Sequence, residues 1–464
     1  MDSRIGIWLV VLILLVVPAA GQQEENQVAE SSEGVASVEA PRQGPAYRLL
    51  STLTNTDLRE LAADALERNP EVALALAKAR AMELRTSQVR ALPDPVAAAT
   101  AWVAGAQTRT GPQVLTLSWT QALPWLSKLD LSEQTVLLEA GAMRFEAEAK
   151  RLELVTSVRR LYYELGFLVR QREVAEDFLD HLRQHETISR SRYATGVGSS
   201  QDVIKIQAEI TRAENLRLDI DQRRIGLEQE LNHLRDRPAS TLILPAMLPQ
   251  GEEIHADFPT LRELAGRSRP EVRAADARVA ASEARIKLAE RNRRPDFSVG
   301  LTYTFVDRRD DDAGIANPPQ GNGDDILGIQ GGIRIPLWRH KLRSGVEESE
   351  QLALSSREDR RRVLADIEAS LGDLLQRIPL TWQQLRLLED ILLVQARESV
   401  QSAQSKYVSG TFNALDLLDA EHVLFEAETA IARARADYAI RLAQLEGAVA
   451  EPLTEVETME RSDS

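Results

Sequence analysis

Apolar residues recur along this chain with two different periods, and the order in which those periods alternate is repeated once. Phe297, Val299, Leu301, Tyr303 and Phe305 alternate with Ser298, Gly300, Thr302 and Thr304, the period of two that gives a strand one apolar face. Leu327, Ile329, Ile333 and Ile335 alternate with Gly328, Gln330, Gly332 and Arg334 in the same way. Earlier, Leu115, Leu117 and Trp119 alternate with Thr116, Ser118 and Thr120, and residues 95–105 form a weaker, alanine-rich strand. Each run approaches the roughly 9–11 residues that a tilted strand needs to cross a bilayer. After each strand pair the period becomes helical. Residues 127–192 contain no proline, and at about 1.5 Å per residue they would extend roughly 100 Å. Residues 341–406 are their counterpart, interrupted at Pro379, where a kink is expected with an equivalent bend near Gly166. Both stretches end in Tyr-x-x-Gly turns, Tyr193 to Gly196 and Tyr407 to Gly410, followed by returning amphipathic helices over 201–235 and 414–450.

The repetition extends to individual motifs. Asn69-Pro70-Glu71-Val72 reappears as Arg269-Pro270-Glu271-Val272, Pro93-Asp94 as Pro295-Asp296, Leu123-Pro124-Trp125 as Ile335-Pro336-Leu337-Trp338, and the Tyr193 turn as the Tyr407 turn. The order is kept while the offset grows from 200 to 214, so the chain is an internal duplication with a longer loop in its second copy. Residues 51–250 form the first repeat, with its strand pair over 95–123; residues 251–453 form the second, with its strand pair over 296–337. Each repeat is a helix, two strands and a long helical hairpin. Helices of this length need neighbours to pack against.

Outside the repeats, Ile5 to Ala20 is apolar behind Arg4 and ends in Ala19-Ala20-Gly21, so residues 1–21 are expected to be a secretory signal, with a retained anchor as the alternative. Residues 22–50 and 454–464 are expected to be a disordered leader and tail. The chain has no cysteine, which excludes disulfides, thiolate metal sites, cysteine nucleophiles and acylated-cysteine anchors. A net charge of -15 argues against nucleic acid as a partner. The inserted loop over 307–325 is acidic and broken by Pro and Gly, which predicts a solvated loop; its carboxylates raise a calcium site as an alternative, although the spacing fits no EF-hand.

Four membrane strands cannot close a barrel, because the narrowest barrels need about eight, and open strand edges are not tolerated in lipid. The chain must therefore pool strands with copies of itself, and three copies would give twelve.

The order of elements, together with Ala65-Leu66-Glu67-Arg68-Asn69-Pro70-Glu71, Leu92-Pro93-Asp94-Pro95, Gln121-Ala122-Leu123-Pro124-Trp125 with Lys128-Leu129, Arg294-Pro295-Asp296-Phe297 and the two Tyr-x-x-Gly turns, resembles the TolC family of outer-membrane efflux proteins. The Leu-Pro-Asp-Pro and Leu-Pro-Trp spellings look most like its heavy-metal cation efflux branch. The resemblance implies a mainly α-helical homotrimer with a twelve-stranded barrel in outer-membrane lipid and a periplasmic α-helical tunnel. It implies no catalysis and no cofactor. Partners would be a periplasmic adaptor protein, docking at the turns of Gly196, Val197, Gly198, Gly410 and Thr411, and an inner-membrane pump of the resistance-nodulation-division type. The cargo implied is metal cations, with drugs or secreted polypeptides as alternatives. The family's periplasmic gate falls on Asp416 and Asp419, matching its acidic rings, and on Tyr407 and Asp202, matching members of its latch. Phe412 stands where the best-known member has a latch arginine, so an apolar constriction is expected in place of a salt bridge. For Asp416 and Asp419 the plainer role is helix capping.

Trp119, Tyr303 and Phe305 are candidates for an aromatic membrane girdle, with Trp125 and Trp338 either joining it or packing on a neighbour. Arg334, on the polar side of its strand, is expected to face the lumen. His181 and His185, four apart on the long helix, have a metal-ligand spacing but no evident third ligand, so a solvated helix face is the expectation. A periplasmic adaptor is the rival class, but adaptors carry one hairpin between biotinyl-lipoyl-like halves, and this chain carries two beside amphipathic strands. No Ser-His-Asp order or phosphate loop supports an enzyme.

Overall fold

Asparagine starts two of the first helices. Asn55 accepts from the Leu58 N–H to open α2 (Thr56–Arg68), and Asn69 accepts from Glu71 and Val72 to open α3 (Pro70–Arg90), after α1 (Pro45–Thr52). Pro70 occupies the first turn of α3, where the N–H it lacks has no helical partner to lose. The computed structural model describes residues 44–103, 107–254 and 256–453. The signal segment, most of the leader and the tail beyond 453 lie outside the described residues. The leader was expected to run to residue 50, but α1 begins at Pro45. Its Ala46 and Leu49 are fully buried, and Arg48 pairs with Glu451 at 2.6 Å. Ala46, Leu49 and Leu53 give this stretch apolar surface that it buries in the core with α2 and α4.

Next come β1 (Val96–Ala101), β2 (Gln107–Thr108) and β3 (Gly111–Leu123), then the first hairpin, α4 (Leu126–Ala194) and α5 (Ser200–Leu234). The second repeat runs through α6 (Phe258–Ser268), α7 (Pro270–Arg291), β4 (Asp296–Val306), the short α8 (Asp312–Ala316) and β5 (Ile326–Arg334). The second hairpin follows as α9 (Arg339–Leu387), a π-helical turn (Leu388–Leu392), α10 (Leu393–Val408) and α11 (Ala414–Val449). Pro379 lies within the span of α9, the π turn begins beyond it, and Gly166 lies within the span of α4. Pro379 is exposed, so water can satisfy the carbonyl its ring leaves unpaired.

The strands form one antiparallel sheet in the order β1-β3-β4-β5, with β2 paired to β3. Its register places Leu117 opposite Tyr303 and Trp119 opposite Leu301, and Leu301 opposite Ile329, so one face is apolar throughout. The other face carries Thr116, Ser118, Ser298, Thr302 and Thr304, with the Thr116 and Thr304 hydroxyls 3.1 Å apart. β1 and β5 are open edges. Among the described residues no helix is long and apolar enough to cross a membrane.

The two largest apolar clusters among the described residues hold the helices near the sheet-distal connection of the repeats' short helices. In one, Tyr162 and Leu165 of α4 are buried with Leu58 of α2, Leu231 of α5 and Ala443 of α11. In the other, Leu261 of α6 and Val272 of α7 pack with Leu371 of α9 and Leu445 of α11. The Tyr162 hydroxyl accepts from Asn55 at 3.0 Å and from the Met247 N–H, tying the connection between repeats to the first core.

Candidate functional site at the hairpin tips

The two hairpins reverse through the same turn. Gly196 and Gly410 have φ of 76° and 83°, a left-handed conformation that glycine adopts without strain. The N–H groups of Val197 and Gly198 both donate to the Arg192 carbonyl at 3.0 Å, and those of Thr411 and Phe412 donate to the Lys406 carbonyl at 2.9 and 3.1 Å. Gly198 is needed for a different reason: a Cβ there would lie 3.1 Å from the Arg192 Cβ and the Tyr193 nitrogen. Thus the duplication holds at the level of single hydrogen bonds.

Tyr407 is buried with Ile206, Ala403 and Leu417, which joins α10, α11 and the start of α5. The Arg192 guanidinium lies 4.6 Å from the centre of the Tyr407 ring and also donates to the Tyr407 carbonyl. This is the contact that sequence reasoning missed. The cation absent at Phe412 is supplied by the other hairpin, and the signal was a basic residue directly before tyrosine in both turns, Arg192-Tyr193 and Lys406-Tyr407. Phe412 packs against the same apolar cluster with the Lys406 ammonium 4.7 Å from its ring centre. Asp202 is half-buried at the third position of α5 and makes no hydrogen bond to Tyr407.

Asp416 and Asp419 are both exposed on the first turns of α11. Asn413 and Asp416 form a capping box, in which Asp416 Oδ2 accepts from the Asn413 N–H at 3.0 Å. That leaves the other Asp416 oxygen and the whole of Asp419 open to the groove between α5 and α11, opposite Lys205, Glu209 and Arg212. Capping and an open carboxylate therefore coexist in Asp416.

His181 and His185 do not form a solvated face. Glu421 of α11 accepts from His181 Nδ1 at 3.0 Å and from His185 Nε2 at 2.8 Å, and both Glu421 and His185 are buried. Burial pushes the Glu421 carboxyl up, but hydrogen bonds from the two imidazoles outweigh it and hold the group at about 2. The hydrogen bond to Glu421 raises His181 above its ordinary value. Among the described residues no group of three acidic, histidine or cysteine side chains is placed to hold a metal, the acidic loop included. In that loop Asp311 pairs with Arg309 at 2.6 Å, and Asp325 accepts from the Tyr303 hydroxyl at 2.7 Å.

On the sheet, Tyr303 and Phe305 stack edge to face at 4.9 Å beside the long loop, and Trp125 meets Phe297 at 6.0 Å where the strands enter the helices. These pairs sit at opposite ends of the apolar face. Trp119, opposite Leu301, is midway between them rather than at a rim. Arg334 stands opposite Asp296 in the register and is exposed.

A sheet with one apolar face, one Ser/Thr face and two open edges, carrying two long helical hairpins, is compatible with lipid on one face only and leaves both edges needing further strands. Residues 261–451 match the family model described as outer membrane efflux protein. Pyoverdine export outer membrane proteins OpmQ of Pseudomonas putida and Pseudomonas aeruginosa are each 24% identical, over 72% and 68% of this chain and 68% and 64% of their own. The outer-membrane channel OprN shares the fold with a TM-score of 0.73 at 17% identity, over 88% of this chain and 92% of its own. VceC of Vibrio cholerae shares it with a TM-score of 0.70 at 19% identity, over 85% and 96%.

Proposed function

We propose that this protein is the homotrimeric outer-membrane conduit of a tripartite exporter, passing cargo without chemistry from an inner-membrane pump through a periplasmic adaptor. The observation that carries the reading is the sheet. Four antiparallel strands are lipid-compatible on one face only and end in two unpaired edges, so further strands must come from other copies. Adaptor contact is assigned to the turns at Gly196, Val197, Gly198, Gly410 and Thr411, and the gate to Arg192, Tyr407, Asp416 and Asp419. The two repeats expected at 51–250 and 251–453 are the structural units of the conduit.

For the cargo, the names of the relatives favour a pyoverdine-like molecule over the bare metal cations suggested by motif spelling. Metal cations stand as the second reading, favoured by the exposed Asp416 and Asp419. The assembly is tested by native mass spectrometry of protein solubilised from outer membranes: three chains of 51.6 kDa are expected, and a soluble monomer would overturn the proposal. Cargo is tested in a deletion strain by elemental analysis beside chromatography of exported organic metabolites.

A further inference from the structure

Cations on the second repeat are neutralised along the helices and left bare where the helices meet the sheet. Within α9, Arg357, Arg360 and Arg377 each pair with a carboxylate. At its start, Arg339 and Lys341 are exposed without an ion-pair partner among the described residues, and Arg343 has only Glu347, at 3.5 Å. Arg291 and Arg293, where α7 passes into β4, are bare in the same way. Residues 291–294 and 339–343 hold six Lys or Arg and no acid. The carboxylate that follows the first group, Asp296, is taken by Lys128 at 2.7 Å.

A chain of contacts places these cations against the apolar face of the sheet. Phe297 lies on that face, the Trp125 ring stands 6.0 Å from it, and the Arg294 guanidinium is 5.9 Å from the centre of the Trp125 ring. On β5, Ile333 is opposite Phe297, and the chain leaves the strand through Leu337 and Trp338, which are 74% and 78% exposed, directly before Arg339. Moving off the apolar face, the order is aliphatic side chain, aromatic ring, guanidinium. A lipid leaflet presents the matching order of acyl chain, interface and phosphate.

This is not a consequence of the fold, because the first repeat lacks it. Val89, Ala91 and Leu92 stand where the second repeat has Arg291, Arg293 and Arg294, and Leu126 and Asp130 stand where it has Arg339 and Arg343. The far end of the sheet has the opposite sign: the loop over 307–325 carries six aspartates against two arginines.

We propose that the sheet-to-helix junction of the second repeat binds the phosphate groups of net-anionic phospholipid in the periplasmic leaflet, with the bare arginines donating to phosphate and Trp125 and Trp338 at the acyl boundary. This rests on the outer-membrane reading above and adds the class of lipid. Lipid is the occupant because the cations continue the lipid-compatible face without a break. A net-anionic headgroup is favoured over a zwitterionic one, which brings its own ammonium to the phosphate. Guanidinium suits phosphate through paired N–H donors, and each cation near an anionic surface is worth about fivefold in binding.

Native mass spectrometry of the detergent-purified complex, titrated with phosphatidylglycerol or with phosphatidylcholine of the same chains, reads this directly. Phosphatidylglycerol adducts are expected to exceed phosphatidylcholine adducts at least tenfold. Arg291→Gln/Arg293→Gln/Arg339→Gln is expected to remove most of that excess at unchanged complex mass, and the corresponding triple Lys variant to keep most of it. Arg357→Gln/Arg360→Gln, which removes paired cations further along α9, is expected to leave it intact. Equal adducts of the two lipids on the native complex would overturn the proposal, as would an excess that survives in the triple Gln variant. Displacement of phosphatidylglycerol by inorganic phosphate in equimolar amount would show a free-anion site and refute the lipid surface. An outer-membrane complex without the preference would remove this inference alone; a soluble monomer would remove the membrane reading with it.

Discussion

At the scale of single residues, the sharpest feature is one carboxylate shared by two imidazoles between hairpins. Glu421 is held at about 2 and His181 is raised by their contact, so their contributions to stability have opposite pH limits. His181 contributes fully below its unfolded value near 6.5, and that contribution is lost as pH rises through its raised folded value. Glu421 contributes above its unfolded value near 4.5, and that is lost as pH falls toward about 2. The groups around them are Asp177 on α4, Glu428 on α11, itself tied to Arg397 of α10, and His422 with Glu209 of α5. Thermal unfolding followed from pH 5.5 to 8.5 is expected to weaken steadily above pH 6.5 in the native protein and to lose that slope in His181→Gln. Glu421→Gln is expected to lower stability at every pH by about 1–3 kcal/mol, because it leaves a buried imidazole N–H poorly paired. An unchanged slope in His181→Gln would remove the histidine from the account. The sequence carried a clue here: Phe178, Leu182, His185 and Ser189 follow a four-three-four spacing, so His185 occupies a core position and not a solvated one.

At the scale of elements, the hairpins were legible almost to the residue, because a sustained helical period and glycine turns are local properties. Expected returns at 201–235 and 414–450 became Ser200–Leu234 and Ala414–Val449. What failed was averaged or non-local. The first turn of ordered structure at Pro45 was lost in a polar window. The fastening between hairpins was invisible for another reason, since Arg192 and Tyr407 are far apart in sequence and meet only through packing. That contact yields a prediction about the elements. Arg192→Ala removes a cation from the Tyr407 ring and a donor from its carbonyl, a loss of about 1–2 kcal/mol. It is expected to free the tip of α4 from α10 and raise the open fraction of single channels in planar bilayers roughly five- to thirtyfold. Arg192→Lys, which keeps the charge but not the planar stack, should fall between. Native-like closure in Arg192→Ala would show that the tips are held elsewhere.

At the scale of the whole molecule, charge decides what a conduit lets through. The chain carries -15, and Asp416 and Asp419 are exposed where the returning helix of the second hairpin begins. Three copies would place six carboxylates around one axis, and a ring of fixed negative charge at a narrow point favours cations and repels anions. Asparagine is the informative replacement. At 416 its side-chain oxygen can still accept from the Asn413 N–H, so the capping box keeps its geometry while the charge disappears. The reversal potential across a planar bilayer under a salt gradient is expected to be cation-selective in the native protein and to move toward zero in Asp416→Asn/Asp419→Asn. Raising salt from 0.1 to 1 M should produce the same movement without mutation, because the screening length falls from about 10 to about 3 Å. Arg192→Ala provides the contrast: it should raise the open fraction and leave the reversal potential where it was, since it loosens the tips without removing acidic groups. If the double asparagine variant kept full cation selectivity, the filter would have to lie in the Ser/Thr-faced sheet or its outer loop, and the two aspartates would be caps alone.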